Sequence, residues 1–364
     1  MAAPSVAFDV GPLQGRRTGI GGAVEALRHG LQSSPDVELM PYITSFRGRP
    51  AAGVRRLPVP AAVAHRLWSV ADWPRADRWI RGASVIHGTN YVVPPSRLPR
   101  LVSVYDCWFL RNRDDANADV VRSGGVLARA LRSGAVAHAS SAATADAIRE
   151  LFPQAEVRTI ALGAIELPSP PASCPIPELH DVPFIVSIST LERRKNIPAL
   201  VAAFGAIAPA HGDLRLVIAG ARGDDAAAVD AAIDALSTEA EGRVLMTGYV
   251  DDGVRAWLLH HAVGLCYPSL DEGFGFPLLD AMQAGTPIVA TRAGSIPEVT
   301  GDAAVLVDVG DADGLAAAIE LVVSDAATRA RLIDAGTARL QRYTWERTVS
   351  EMTAVYVELA GSAG

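Results

Sequence analysis

Lysine is almost absent from this chain. Of its 33 Lys and Arg residues, Lys195 is the single lysine, and the other 32 are arginine. Cysteine is equally sparse. Cys107, Cys174 and Cys266 stand isolated, with no CxxC or Cys/His ligand spacing, which excludes a disulfide framework and a zinc site of the usual kind. No uncharged apolar run reaches the roughly 18 residues of a membrane span. The start, Met1 to Val10, lacks the basic and apolar regions of a signal peptide, so a cytoplasmic protein is expected. A dinucleotide fingerprint is missing too, because Val24 stands where the third glycine of GxGxxG would fall. That argues against an NAD(P) dehydrogenase. There is no internal repeat, no low-complexity tail, and no feature that calls for a nucleic-acid partner.

The chain has 364 residues, 49% of them hydrophobic, enough for two domains with a core each. Its net charge of −7 is divided unevenly: residues 1–173 hold 20 Arg against 14 acidic residues (+6), and residues 174–364 hold 13 basic against 26 acidic (−13). The basic half suits an anionic partner such as a phospholipid surface or a phosphate-bearing acceptor. Within it, residues 47–81 interleave eight arginines with Trp68, Trp73 and Trp79. That pattern fits a membrane interface or, more plainly, helices covering a sheet.

Strand and helix patterns alternate along the chain, which predicts parallel sheets. The strand Ser5–Val10 is followed by a predicted loop from Gly11 to Gly22, containing Thr18-Gly19-Ile20-Gly21-Gly22, and then by a helix through Val24, Leu27 and Leu31. Apolar strands ending at His87-Gly88-Thr89-Asn90-Tyr91 and at Tyr105-Asp106 follow. Ligands of parallel α/β sheets gather at the carboxyl ends of strands. His87, Asn90, Tyr91, Tyr105 and Asp106 are therefore candidates to line a site. Five prolines between Glu166 and His180 interrupt the periodicity and predict a stiff linker. The expected division is residues 1–165, a linker at 166–180, a second domain at 181–343, and a last helix at 344–364. Two Rossmann-like domains with a ligand cleft between them is the expected α/β architecture.

Two stretches carry chemistry. In Thr190-Leu191-Glu192-Arg193-Arg194-Lys195-Asn196, three adjacent cations sit between the strand Phe184–Ile188 and a helix starting near Ile197. Phosphate is the natural partner of such a turn, since the helix start offers N–H donors, Lys a point charge and Arg a bidentate fork. In Glu272-Gly273-Phe274-Gly275-Phe276-Pro277 a second helix start is announced by two glycines and a first-turn proline, and Gly285 closes that helix. Asp280 lies about one turn in. The two acids then address different parts of one elongated ligand, as a nucleotide diphosphate-sugar would require.

These motifs resemble those of the retaining glycosyltransferases of family GT4, which have the GT-B fold. The resemblance extends to the Thr18–Gly22 segment, Gly248-Tyr249-Val250 and the closing Tyr343-Thr344-Trp345-Glu346-Arg347. It implies that Arg194 and Lys195 hold the donor diphosphate, that Glu272 contacts the donor sugar, and that Gly273, Phe274 and Gly275 lie beside both. It further implies donor contacts from Gly19, Gly21 and Gly22, a base bordered by Tyr249 and Val250, a ribose contact from Asp280, and a last helix returning to the first domain. Tyr105 and Asp106 would stand near the reacting sugar, with His87, Asn90 and Tyr91 toward the acceptor.

Three departures accompany it. The family's E-x7-E is here Glu272-x7-Asp280, its frequent His-Asp is Tyr105-Asp106, and its usual proline is Arg193. The implied activity is hexose transfer, with mannose favoured, to a saccharide or lipid-linked acceptor of the cell envelope. No cofactor or metal is expected. The protein would work in the cytoplasm, in peripheral contact with an anionic membrane. A non-catalytic nucleotide-sugar binder and a sugar-nucleotide epimerase are the rival readings. A pyridoxal-dependent phosphorylase would need a Schiff-base lysine, and the one lysine lies in the phosphate turn.

Overall fold

The computed structural model describes residues 3–14, 19–45, 51–112 and 118–362, with the side chains of 118 and 119 excepted. Thr18, Arg47 and Arg49 lie outside the described residues. The chain divides into two compact units, Met1–Gly163 with Tyr343–Gly364, and Ala164–Arg342.

In the first unit, seven strands form one parallel sheet among the described residues: β1 (Ser5–Asp9), β2 (Glu38–Thr44), β3 (Arg55–Leu57), β4 (Val85–Gly88), β5 (Arg100–Val104), β6 (Val136–Ala139) and β7 (Val157–Thr159). Their order, β3-β2-β1-β4-β5-β6-β7, is doubly wound, with the reversal between β1 and β4. The central strands are buried on both faces, which is why Val85-Ile86-His87-Gly88 reads as a continuous rather than an alternating run.

The second unit repeats the plan with β8 (Phe184–Ile188), β9 (Arg215–Ala219), β10 (Val244–Gly248), β11 (Gly264–Tyr267), β12 (Ile288–Thr291) and β13 (Ala304–Val307). The order is β10-β9-β8-β11-β12-β13, and the reversal falls between β8 and β11. Both units are thus Rossmann-like.

Three sequence expectations change. Gly19, Gly21 and Gly22 belong to the helix Gly19–Gln32 instead of a loop, and Gly21 and Gly22 are buried in its first turn. The Arg/Trp stretch contains strand β3 as well as the helix Ala61–Trp68. The proline-rich segment is held against the second unit. Gln283 donates to the carbonyl of Ile165 at 2.9 Å and accepts from the amide of Leu167 at 3.2 Å, and Leu179 is buried.

The last helix, Trp345–Gly361, starts at an N-cap where Thr344 accepts from the amide of Arg347. Its Met352, Val355, Tyr356 and Leu359 pack with Phe8, Val24, Leu27 and Leu31 in one apolar cluster. A buried hydrogen-bond chain ties it to the sheet. Tyr356 meets His87 Nδ1 at 2.7 Å, His87 Nε2 meets Ser103 at 2.9 Å, Ser103 meets His138 Nδ1 at 2.9 Å, and His138 Nε2 meets the carbonyl of Ile160 at 3.0 Å. A carbonyl only accepts, so His138 must donate from Nε2, which leaves Nδ1 to accept from Ser103. The same reasoning passes along the chain to Tyr356, and both imidazoles are neutral. Burial pushes the pKa of His138 down to about 4 and that of His87 well below its ordinary value.

Candidate active site

The second unit places its motifs at its switch point. β8 and β11 are hydrogen-bonded neighbours whose outgoing chains turn to opposite sides, which opens a crevice at their carboxyl ends. After β8 comes a single 3-10 turn, Arg193–Lys195, closed by Asn196 in the left-handed region at φ 51°. After β11 comes the Ser269–Gly275 loop. The two loops are joined through backbone, where the amide of Leu270 donates to the carbonyl of Arg194 at 2.7 Å.

The side chains meet in one buried cluster. Arg194 pairs with Glu272 Oε2 at 3.0 Å, and Lys195 Nζ pairs with Oε1 of the same carboxylate. Lys195 also donates to the Tyr267 hydroxyl at 2.9 Å, which passes its own proton toward Glu272 Oε1 at 2.9 Å, and Ser269 donates to that oxygen at 3.0 Å. Glu272 is 5% exposed and Lys195 9%. Burial opposes the charge on Glu272, but Lys195 and Arg194 together outweigh it and hold the carboxyl below its usual value. Burial lowers the Lys195 ammonium, and Arg194 adds to this while Glu272 opposes it. Arg194 also reaches the more exposed Glu192 at 3.6 Å, so two cations are matched by two carboxylates, and a polyanion competes with these for the cations.

Glycine is required at two points of the frame. Gly275 caps the helix Phe276–Ala284 at φ 89°. Gly294, at φ 50°, lets its backbone approach Glu272, whose carbonyl oxygen would lie 2.2 Å from any added Cβ. Gly273 and Phe274 are buried between these points, and Phe274 meets Phe276 edge-on at 5.1 Å.

Asp280 stands apart from that cluster. It is 2% exposed and bonded through Oδ2 to Arg255 Nη1 at 2.7 Å, while Arg255 Nη2 reaches Asp252 at 3.2 Å. Burial, opposed by Arg255 and reinforced by Asp252, pushes its pKa up to about 6. Glu272 is thus held by the cations, and Asp280 by an arginine of the helix Asp252–His261. Tyr249, 56% exposed, and Val250 follow β10 at the same edge of the sheet.

In the first unit two expectations are corrected. His87 does not face a ligand: it is fully buried, with both ring nitrogens engaged in the chain to Tyr356 and Ser103. Its strand reaches the carboxyl edge, but its side chain points into a covered face. Tyr105 is 8% exposed, and its hydroxyl is spent on the carbonyl of Thr89 at 2.9 Å. Asp106 accepts from the Trp108 amide and the Tyr91 hydroxyl, both at 3.1 Å, so Tyr91 and Asp106 come together. Tyr91 holds φ 58°, a strained value for a bulky residue. Asn90 is partly exposed beside it.

Sequence reasoning missed Tyr267, Ser269 and Arg255. A tyrosine ending an apolar strand just ahead of a Ser-Leu-Asp-Glu run was a readable signal for the first two. Nothing in the sequence marks Arg255, which reaches Asp280 only because two helices lie side by side.

Comparison with known proteins agrees with this geometry. Residues 175–339 match the family model described as Glycosyl transferases group 1. The O-antigen chain mannosyltransferase B of Escherichia coli is 29% identical over 331 residues, 86% of this chain and 84% of that protein. The phosphatidyl-myo-inositol mannosyltransferase of Mycolicibacterium smegmatis is 34% identical over 177 residues, 47% of this chain and 44% of that protein. Among solved structures, sucrose-phosphate synthase from Thermosynechococcus elongatus shares the fold with a TM-score of 0.74 at 18% identity, over 99% of this chain and 100% of that one. Residues 175–339 thus carry a glycosyl transferases group 1 domain, these likenesses support a GT4-type glycosyltransferase, and the α/β fold is that of the GT-B enzymes.

Proposed function

We propose that this enzyme transfers mannose, with retention of anomeric configuration and without a metal, from a nucleotide diphosphate-mannose to a saccharide or lipid-linked acceptor of the cell envelope. The observation that carries the reading is the Lys195–Glu272–Arg194 cluster at the switch point of the second unit. The sugar is suggested by the two mannosyltransferase relatives.

An arriving diphosphate supplies the anionic charge that the two cations now draw from Glu272 and, for Arg194, also from Glu192. Arg194 and Lys195 turn to the phosphate oxygens, and Glu272 is released toward the sugar hydroxyls. Asp280 addresses the ribose through the oxygen that Arg255 leaves open. In a front-face displacement the bond from C1 to the leaving phosphate oxygen breaks, and the bond from C1 to the acceptor oxygen forms on the same side. The acceptor proton passes to the departing phosphate. Negative charge grows on the diphosphate as this happens, so cations fixed at that point favour the transition state over the ground state. These side chains are the reason for reading the reaction as metal-independent.

A membrane role is part of the proposal. Val63, Val70 and Trp73 are 48%, 69% and 66% exposed, and Arg66, Arg75 and Arg78 of the same stretch are exposed as well. Indole at headgroup level with arginine nearby suits an anionic leaflet. No helix among the described residues is long and apolar enough to cross a membrane.

The test is a donor panel of GDP-mannose, UDP-glucose and UDP-GlcNAc, with the product anomer read by NMR in EDTA. Transfer of mannose with an α-linked product supports the reading. An inverted product or loss of turnover in EDTA contradicts it, and conversion of the donor to its epimer without acceptor favours the epimerase.

A further inference from the structure

Arg255 sits where its own helix has little use for it. The helix Asp252–His261 follows directly on the Tyr249-Val250 segment and is capped by Asp251, which accepts from the amide of Val254 at 2.8 Å. A cation at a helix start opposes the helix dipole. The exposed Asp252, at 3.2 Å, would be partner enough for a surface arginine. Arg255 instead sends Nη1 inward to the buried Asp280, and its Nε is left buried without a hydrogen-bond partner among the described residues.

The fold does not call for that acid. Its neighbours Leu278, Leu279, Ala281 and Met282 on the helix Phe276–Ala284 are buried, and apolar side chains in place of a buried ion pair are often neutral or stabilising. Burial pushes the carboxyl up to about 6, Asp252 adds to this, and Arg255 opposes it. The helices Ala326–Leu340 and Ile296–Thr300 also pack on Phe276–Ala284. Arg329 and Arg339 of the first are bound to backbone carbonyls, and none of Arg329, Arg331, Asp334, Arg339 or Glu298 bears on the carboxyl. Arg255 binds Oδ2, and no described residue bonds to Oδ1.

We propose that Arg255 is a positioning residue for the donor, holding Asp280 as a carboxylate with Oδ1 turned to receive ribose hydroxyl protons. This deepens the ribose contact already assigned to Asp280 and rests on it. An aspartate carboxylate turns about a broad, roughly two-fold torsion, so without a partner its oxygens have no single direction. Arg255 fastens Oδ2 and thereby aims the other oxygen. With a side chain one methylene shorter than the family's glutamate, Asp280 has fewer torsions with which to follow a ligand, and its direction is set from outside. The guanidinium also keeps the acid ionised, and an ionised acceptor makes the stronger hydrogen bond.

The experiment is calorimetry on the full chain with GDP, UDP and their 2′,3′-dideoxy counterparts. The ratio of the two affinities cancels the titration of the phosphates themselves. The wild type should bind the better of the two nucleotides about tenfold more tightly than its dideoxy form at pH 7.5. Arg255→Met and Asp280→Asn should each bring that ratio below about twofold, and the double variant no further, because the two residues act as one unit. Arg255→Lys, which keeps the charge, should retain the preference. In the wild type the preference should fall as pH drops through about 6, and in Arg255→Met it should appear only at higher pH. A preference that survives Arg255→Met, even with both nucleotides bound more weakly, overturns the proposal. So does a wild-type preference that stays flat between pH 8 and pH 5, which needs no variant to fold. A wild type that binds both forms equally overturns the proposal and leaves the transferase reading intact, whereas failure to bind any nucleotide diphosphate overturns both.

Discussion

Lys195 and Glu272 lie 77 residues apart in sequence and share a buried ion pair, completed on the other carboxylate oxygen by Arg194. Each residue follows a different strand, and the two strands are neighbours only because the sheet order reverses between them. Topology thus brings the one lysine to the one carboxylate that it needs when the ligand is absent.

Removing a cation should impair chemistry more than folding. Lys195→Ala leaves Glu272 with Arg194, Tyr267 and Ser269, and Arg194→Ala leaves it with Lys195. Each should lower kcat by about 10²–10³-fold, the usual loss for a fixed group that stabilises developing charge. Steady-state kinetics on the donor checks this, and wild-type kcat in either variant would be incompatible with leaving-group stabilisation.

Glu272→Gln should behave in the opposite way toward the nucleotide. It strands the buried Lys195 and leaves the partly buried Arg194 with Glu192 at 3.6 Å, which costs about 3–5 kcal/mol of stability. GDP or UDP supplies the missing charge, so saturating nucleotide should raise Tm by more in the variant than in the wild type. Differential scanning fluorimetry with and without nucleotide reads both effects.

Only part of this was legible beforehand. The cation turn and the Glu272 loop announce themselves, because glycine, proline and charge cluster where strand patterns end. Strand β2 does not. Pro41 interrupts Glu38–Thr44 while facing Phe8 across the pairing, and proline in a non-edge strand argues against a strand. His87 was misassigned for a different reason. Strand-end position predicts where backbone emerges, but the direction of its ring depends on the last helix, 269 residues away. Arg255 stayed invisible because a helix–helix contact leaves no trace in local pattern.

The buried histidine chain makes stability acid-sensitive. An unfolded His takes up its proton near pH 6.5, whereas His138 resists it down to about 4, so the neutral folded form contributes fully above pH 6.5 and loses that contribution as pH falls toward 4. The raised carboxyls of Asp9 and Asp280 act in the reverse sense, and subtracting a variant isolates the histidine. The advantage of wild type over His138→Gln in urea unfolding should shrink by about 3 kcal/mol between pH 7 and pH 4. A pH-independent difference would mean that His138 is not buried neutral.

Membrane contact should depend on the exposed Val63, Val70 and Trp73 and on salt. Sedimentation with phosphatidylglycerol vesicles should capture the wild type at low salt, and Trp73→Ser should weaken capture about tenfold. Each of Arg66→Gln, Arg75→Gln and Arg78→Gln should cost about 1 kcal/mol. Equal recovery with neutral and anionic vesicles would contradict an electrostatic contact.

The single lysine permits a measurement with no assignment problem. In protein labelled with ¹⁵N-lysine, the one side-chain signal belongs to Lys195. Titration with GDP, UDP and their mannose and glucose donors should shift that signal saturably for at least one nucleotide diphosphate, while the parent nucleoside leaves it in place. A Lys195 signal that stays fixed while a thermal shift shows the donor bound would contradict the assignment of the diphosphate to this cluster.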